Sequence, residues 1–445
     1  MTAETLDCDF LVIGAGMAGL SAAARAAEAG ARVVVVEKAA DIGGSSALSG
    51  GVVWTLPSTR KLRYVDDGDP ALGEVIVGSF ADGIGWMRRR GVDVSEAVPV
   101  LYGRGYRTDI IGHLRACVST VTAAGGHVVT LTDTAALLTD PAGRVTGART
   151  RHADGAADIR APWTLLATGG FQADADWRAR YIHANARDIR LRSNPVSTGG
   201  GIRLGLAAGG AFTDDNPGFY GHLVADTPAW GDPRLFTTLT QYHSEHGVLL
   251  NQAGRRFADE SIADHVSTQA VVAEPGARAL LVWDERIHRD HAVTPVVKGT
   301  SSLDRFDVAM AHGAAGIGAA TLEEIAGFAA NHGFDGPSSL ATLRSFNDLA
   351  RAAPETLSPP RVDYAVPLES APYYALVVRP AITFTHAGLR ADASARVLAG
   401  NGRPVDGLLV AGADVGNAYR IGYGGGLALA LTFGLRAAQT AGFGT

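Results

Sequence analysis

Six residues, Gly14-Ala15-Gly16-Met17-Ala18-Gly19, constrain this chain more than any others, because of what flanks them. The apolar run Phe10-Leu11-Val12-Ile13 precedes them, an alanine-rich stretch from Met17 to Ala29 follows, and Arg32 to Val36 reads as a second strand that ends at Glu37 and Lys38. Strand, glycine turn, helix, strand and acid is the order of a dinucleotide-binding unit. Gly14 permits the tight turn, Gly16 lets the backbone approach a pyrophosphate, and Gly19 lets helix and strand pack closely. The helix start, with Ala15, Met17 and Ala18, offers N–H groups to the phosphates. Glu37, eighteen residues beyond Gly19, would accept from a ribose hydroxyl. Such a glycine pattern alone is weak in a chain with 56 glycines; strand, helix and acid in register make coincidence remote.

After Lys38 comes a second glycine and serine loop, Gly43-Gly44-Ser45-Ser46-Ala47-Leu48-Ser49-Gly50-Gly51. A cofactor longer than one dinucleotide turn explains it, which favours FAD over NAD. Two further apolar runs, Trp163 to Ala167 and Leu408 to Ala411, also stop at glycine. Continuous apolar runs of this kind are expected of parallel strands buried on both faces, so three distant segments should share one sheet. A hairpin is expected near Ala136 to Arg149, turning at Asp140-Pro141-Ala142-Gly143; Ala135 just before it and Lys38 beside Glu37 are further candidate cofactor-binding residues. Past Phe212 the pattern changes to mixed short elements and amphipathic helices such as Thr321 to Ala330. The expected architecture is α/β: a Rossmann-like FAD-binding domain of the glutathione reductase type over 1–211 and 366–445, with an α+β capping domain inserted over 212–365.

Composition narrows the partners. A formal charge of −6 with scattered arginines gives no footprint for nucleic acid or anionic lipid. Two cysteines far apart, Cys8 and Cys117, exclude a disulfide scaffold, a cysteine-ligated cluster and a CxxCH haem site. Tyr242, His243 and His246 do not form a metal-binding spacing, so no metal is expected. Met1 to Asp9 carries three acids and no basic region, unlike a signal peptide, and no run of about 18 apolar residues occurs. A cytoplasmic protein acting on a small molecule is expected, with an electron acceptor that the sequence does not identify.

Taken in order, the fingerprint, the Gly43 to Gly51 loop, Ala167-Thr168-Gly169-Gly170-Phe171, Ser197-Thr198-Gly199-Gly200-Gly201, Gly254 to Glu260, Asp406 to Asp414 and Gly422 to Leu427 resemble the FAD-containing superfamily of fumarate reductase and succinate dehydrogenase flavoproteins. The resemblance spans nearly the whole chain. It is nearest to members like tricarballylate dehydrogenase, through Arg379 to Thr385, and like 3-ketosteroid 1-dehydrogenase, through Leu389 to Leu398. It implies that Ala167, Thr168, Gly169, Gly170 and Gly412 line the flavin, that Asp414 faces the ribityl chain, and that Gly425, Gly426 and Leu427 at a helix start face the flavin pyrimidine. Members with covalent flavin carry a histidine in the loop that here reads Gly44-Ser45-Ser46-Ala47, so FAD should be held non-covalently.

The resemblance also implies the reaction. A proton leaves the carbon beside a carbonyl or carboxyl, and a hydride leaves the next carbon for the flavin; the protein supplies a base and donors for the developing enolate. In fumarate reductases an arginine delivers the proton from the position that here is Asp264, and their paired histidines are absent from Thr383 to Gly388, which speaks against fumarate reduction. Candidate acid–base and oxyanion residues are His386, Arg420, Tyr423, Tyr106 and His222, with Tyr102, Arg107 and Tyr220 beside them. For any one of these, a packing role is the competing reading. A flavin oxidase or monooxygenase is the alternative function; a large cap argues against a mere redox carrier.

Overall fold

The computed structural model describes residues 4–295, 297 and 301–444, so the first three residues of the acidic start lie outside the described ones. The chain forms two compact units. One comprises the residues up to Trp177, Ser193–Phe219 and the chain from Phe384 onward; the other comprises Arg178–Arg192 and Tyr220–Thr383.

The centre of the first unit is a six-stranded sheet in the order Arg396–Leu398, Pro404–Val410, Thr164–Leu166, Phe10–Ile13, Val33–Val36, His127–Val129. All neighbours except the first pair run parallel. The three glycine-terminated runs are therefore adjacent, with Leu165 opposite both Val12 and Leu409. The four residues of Phe10–Ile13 and of the all-valine strand Val33–Val36 are buried throughout, which leaves no side for polar alternation; the helix Met17–Glu28 packs on both strands, and Val145–His152 of a second sheet packs on their neighbours Thr164–Leu166 and Pro404–Val410. The helix Met17–Glu28 buries all six of its alanines and packs against the helices Ile110–Ala123 and Gly426–Thr440. Small side chains allow this approach: a methyl group at Gly434 would meet the Ala18 carbonyl at 2.4 Å. The expected hairpin is present as Asp133–Thr139 against Val145–His152, extended by Gly155–Arg160 and Glu4–Asp7 into four strands. A three-stranded sheet of Val52–Thr55, Gly103–Arg107 and Val98–Val100 completes the unit. Both cysteines are buried thiols, pushed up by burial to about 11 at Cys8 and about 12 at Cys117.

The second unit is built on the long strand Tyr373–Thr385, which pairs antiparallel with Ala279–Asp284 and Gly316–Ala319 and parallel with Arg190–Leu191. Those pairings place residues 366–383 in this unit, whereas the sequence pattern assigns them to the FAD-binding part; the strand's apolar run reads equally well as either. Arg190–Leu191 joins for the same reason. The helix expected at Thr321 spans Leu322–Asn331, with Thr321 and Glu324 forming a reciprocal capping box. Glu260 anchors the unit: fully buried, it accepts from Arg256, Arg361 and the Leu249 N–H, and Arg361 also donates to the Gly247 and Glu245 carbonyls. Two cations and a backbone donor on one carboxylate satisfy a charge that burial alone would make costly. Among the described residues no helix is long and apolar enough to cross a membrane.

His243 lies in the core of this unit against Trp283, ring centroids 4.7 Å apart, and neither of its ring nitrogens has a hydrogen-bond partner among the described residues. Burial, helped by Arg305 and nearby histidines, pushes its imidazole down to about 3. The unfolded chain takes up that proton near pH 6.5 and the native chain does not until about 3, so this residue's contribution is present above pH 6.5 and is lost as pH falls through that window. His243→Phe should therefore flatten the acid-side decline of stability by about 1.4 kcal/mol per pH unit, read from denaturant melts at pH 7, 6 and 5. An unchanged slope would show that His243 titrates normally.

Candidate functional site

The ends of the parallel strands set the geometry of the first unit. At the first strand end, Gly14 has φ +110°, and a side chain there would meet the Ala167 carbonyl at 2.2 Å; only glycine permits the turn and lets two neighbouring strand ends close on each other. The helix that follows starts at Gly16 with no side-chain cap of its own. Its first N–H, from Met17, is instead bonded by the Ser46 hydroxyl at 3.1 Å, so the second glycine and serine loop is tied to the first. Gly16 also bridges Gly43. Around this start the nearest atoms to a methyl on Gly16 lie 3.8 Å away or more, and a methyl on Gly50 would meet nothing within 4 Å. A cradle lined by backbone and left open at glycine fits an extended dinucleotide that must approach the main chain.

Glu37 is buried at the end of its strand, with one oxygen accepting from the Ala15 N–H and the other from the Ala39 N–H, each at 2.8 Å. It fixes the first turn through the Ala15 N–H, and each of its oxygens keeps a further lone pair. Lys38 beside it is exposed. Ser45 shares a hydrogen bond with Ser193 at 2.7 Å, and the Ser49 hydroxyl donates to the Ser46 carbonyl. Ala135 sits exposed at a register shift between the two hairpin strands. Asp414 is fully buried and accepts from the Thr168 N–H at 2.5 Å, the Thr168 hydroxyl at 2.9 Å and the Gly170 N–H at 2.8 Å. Its carboxylate is thus engaged with the Ala167 to Gly170 loop. Burial raises its carboxyl above the ordinary range, against those hydrogen bonds.

At the start of the closing helix, Gly425 has φ +103°, and a side chain there would strike the Trp54 carbonyl at 1.9 Å. The Gly426 N–H donates to the Tyr423 hydroxyl at 2.7 Å. Tyr423 is buried among aromatic rings: Trp54, Tyr419 and Phe384 have centroids at 5.4, 5.6 and 5.7 Å. His386 joins the same cluster, 5.5 Å from Phe384 and 5.9 Å from Tyr419. Its Nδ1 lies 3.2 Å from the Arg420 carbonyl, which can only accept, so Nδ1 carries the proton and Nε2 is the basic nitrogen.

The candidate catalytic residues therefore divide. His386 and Tyr423 come together. Arg420 contributes its backbone to that cluster, but its guanidinium is 40% exposed and faces Asp67 and Asp215 at 4.0 and 3.8 Å; the two carboxylates draw the cation outwards. The backbone turn at Arg420 to Gly422 is held by Asp66, which accepts all three N–H groups. Tyr106 packs on Phe80 with the Arg88 guanidinium over its ring. His222 lies in the second unit, bonded to Tyr220 and Asp264. Sequence reasoning missed Tyr419, whose hydroxyl donates to the Gly425 carbonyl at 3.1 Å, although its spacing of four from Tyr423 is visible. It also read Asp264 only as a missing arginine and not as a partner for His222. Among the described residues no group of three or more potential ligands is placed to hold a metal.

The family described as FAD binding domain matches residues 9–429. The chain is 26% identical over 471 residues to the fumarate reductase (cytochrome) of Shewanella frigidimarina, across 97% of this chain and 76% of that one. It is 26% identical over 553 residues to the 4-oxocyclohexanecarboxylate 2-dehydrogenase of Sinomonas cyclohexanicum, across 97% and 92%. Its fold is similar to that of the 3-ketosteroid Δ1-dehydrogenase from Sterolibacterium denitrificans, with a TM-score of 0.76 at 19% identity over 98% of this chain and 99% of that one. Strand-end cradle, glycine turns and family match agree: the chain belongs to the FAD binding domain family and is an FAD-binding oxidoreductase.

Proposed function

We propose that this chain holds FAD without a covalent link and uses it to dehydrogenate, or in reverse to reduce, a C–C bond beside a carbonyl or carboxyl group of a small organic molecule. The observation that carries the reading is the Tyr423 hydroxyl docked on the Gly426 N–H at the start of a helix. A hydroxyl that accepts there is polarised towards donating its own proton. Such a donor stabilises the oxygen anion that develops when the carbon beside a carbonyl loses a proton. His386, with Nε2 as its basic nitrogen, stands in the same ring cluster. The substrates named for the relatives support this, since fumarate and 4-oxocyclohexanecarboxylate both carry a C–C bond next to a carbonyl or carboxyl carbon.

Gly14 to Gly19 would lie along the pyrophosphate, Glu37 at a ribose, and the Gly43 to Gly51, Ala167 to Gly170 and Gly425 to Leu427 segments around the rest of the cofactor. Bound there, FAD supplies the hydride acceptor or donor. Asp414 shapes the Ala167 to Gly170 loop through hydrogen bonds to Thr168 and Gly170. Ser45 and Ser46 spend their hydroxyls on Ser193 and on the Met17 N–H, and neither is a residue that attaches flavin. A ketone or ketoacid suits the site better than fumarate, because Arg420 is turned to Asp67 and Asp215 and gives no clamp for a second carboxylate.

Three measurements check this. Anaerobic mixing with cyclic ketones, 4-oxo carboxylic acids, enones and polycarboxylates should bleach the visible flavin band with at least one carbonyl compound, and Tyr423→Phe should slow that step about 10²–10³-fold; bleaching by none of them would overturn the reading. Acid or heat should release all of the flavin from the polypeptide, and flavin that stays with the denatured chain would refute the non-covalent link. Glu37→Ala should weaken FAD binding by roughly 1.5–3 kcal/mol through loss of charge-assisted hydrogen bonds, measured by titrating apoprotein.

A further inference from the structure

From Tyr419 to Gly425 the chain forms neither helix nor strand, so its backbone groups need partners from elsewhere. Side chains of the first unit supply them. Asn216 donates to the Tyr419 carbonyl at 2.8 Å, His386 to the Arg420 carbonyl at 3.2 Å, Tyr102 to the Tyr423 carbonyl at 2.8 Å, and Tyr419 itself to the Gly425 carbonyl at 3.1 Å. The N–H side falls to one residue. Asp66 Oδ1 accepts from Arg420, Ile421 and Gly422 at 2.8, 2.9 and 2.9 Å, and its other oxygen accepts from the Gly68 N–H at 3.0 Å. The fit is close, since a side chain at Gly422 would meet the Val65 carbonyl at 2.2 Å.

Local stability does not call for a carboxylate at this place. Asp66 caps the C-terminal end of the helix Thr59–Val65, where the carbonyl dipoles disfavour a negative charge, and burial to 6% exposure adds a desolvation cost. Three of the four N–H groups that compensate it come from a segment more than 350 positions away. A residue that breaks a local rule and is satisfied by a remote turn points to a task at that turn. The turn leads directly into Tyr423, whose hydroxyl accepts from the Gly426 N–H at 2.7 Å. Asp66 fixes the chain on one side of this tyrosine and Tyr102 fixes its carbonyl on the other. The charge has a second effect: burial first, then Tyr423, Asp66 and Tyr102, push the Tyr419 phenol well above its ordinary range, which keeps it a donor to the Gly425 carbonyl.

We infer that Asp66 is a positioning residue of the reaction: it holds the Arg420 to Gly422 turn so that the Tyr423 hydroxyl, docked on the Gly426 N–H, is placed to donate to the oxygen anion that develops on the substrate. The inference rests on the functional reading above, in which Tyr423 is that donor. Asp66 acts through the main-chain N–H groups that lead into Tyr423. An oxyanion donor works by its placement, and a shift of about 1 Å costs roughly 10²-fold in rate. A carboxylate suits the task better than a neutral amide. An asparagine carbonyl can still accept from the turn, but its NH2 group would face the Gly68 N–H, donor against donor.

The test is a double-mutant cycle in the holoenzyme, read as anaerobic flavin bleaching by a carbonyl compound that reduces the unmodified protein. Asp66→Ala should retain FAD and lower the limiting rate about 10²-fold at unchanged half-saturating substrate concentration, the pattern of an interaction made only in the transition state. Introduced into Tyr423→Phe, the same substitution should change the remaining rate by no more than about twofold, because the hydroxyl it positions is already gone. A merely structural role would multiply the two losses in full. Asp66→Asn, which keeps one acceptor for the turn, should be slowed less than the alanine variant, and it carries the same cycle if Asp66→Ala does not fold. Wild-type bleaching in the Asp66 variants, a rise in KM at unchanged kcat, or losses that multiply in full would overturn the inference and leave the functional reading standing. If no carbonyl compound bleaches the unmodified enzyme, that reading has failed and the inference falls with it.

Discussion

Asp414 places a carboxyl group in a fully buried position, where burial raises it above the ordinary carboxylate range against the hydrogen bonds it receives. The hydrogen bonds it receives come from Thr168 and Gly170, residues at the end of the central strand Thr164–Leu166. The glycine loop after that strand therefore has its shape only when the C-terminal segment is docked, and the segment is docked only when the loop is formed. Glu37 acts similarly at the next strand but one, holding the Ala15 and Ala39 N–H groups. Two acids thus satisfy backbone donors where strands end and no sheet partner remains. Every loop expected to approach the cofactor is tied to one of these carboxylates, to Ser46 or to the Tyr423 hydroxyl.

That arrangement explains why the polar residues of the first unit are mostly spent on architecture. Arg420 is steered outwards by surface acids and Tyr106 lies under an arginine, whereas His386 and Tyr423 pack together with Tyr419 and Phe384 beside the closing helix.

Much of the fold was legible because its signals are local. Strand, glycine turn and helix at Phe10 to Glu28 follow from residue types within twenty positions, as do the hairpin at Asp133 to His152 and the cap of the helix at Thr321. The side-chain roles were less legible, because they depend on partners remote in sequence. Nothing near Arg420 reveals that Asp67 and Asp215 will face it, nothing near Asp414 reveals Thr168, and Asp264 reads as a missing cation until its hydrogen bond to His222, 42 positions away, is seen. The end of the second unit was misjudged for a related reason. A long apolar strand such as Tyr373–Thr385 does not announce which sheet it will enter.

The sheet at the heart of the first unit is assembled from strands near residues 10, 164 and 408. A ribosome making this chain has released the first two strands, and all of the second unit, before the third exists. Until Pro404–Val410 and the closing helix emerge, one edge of Thr164–Leu166 stays unpaired and the part of Met17–Glu28 that packs on the closing helix lacks its cover. The second unit, made in one nearly continuous stretch, can fold during synthesis; the nucleotide-binding unit must wait for its last strand and is exposed to aggregation meanwhile. In the cell, demand for a chaperone should therefore fall on the half of the molecule that carries the fingerprint.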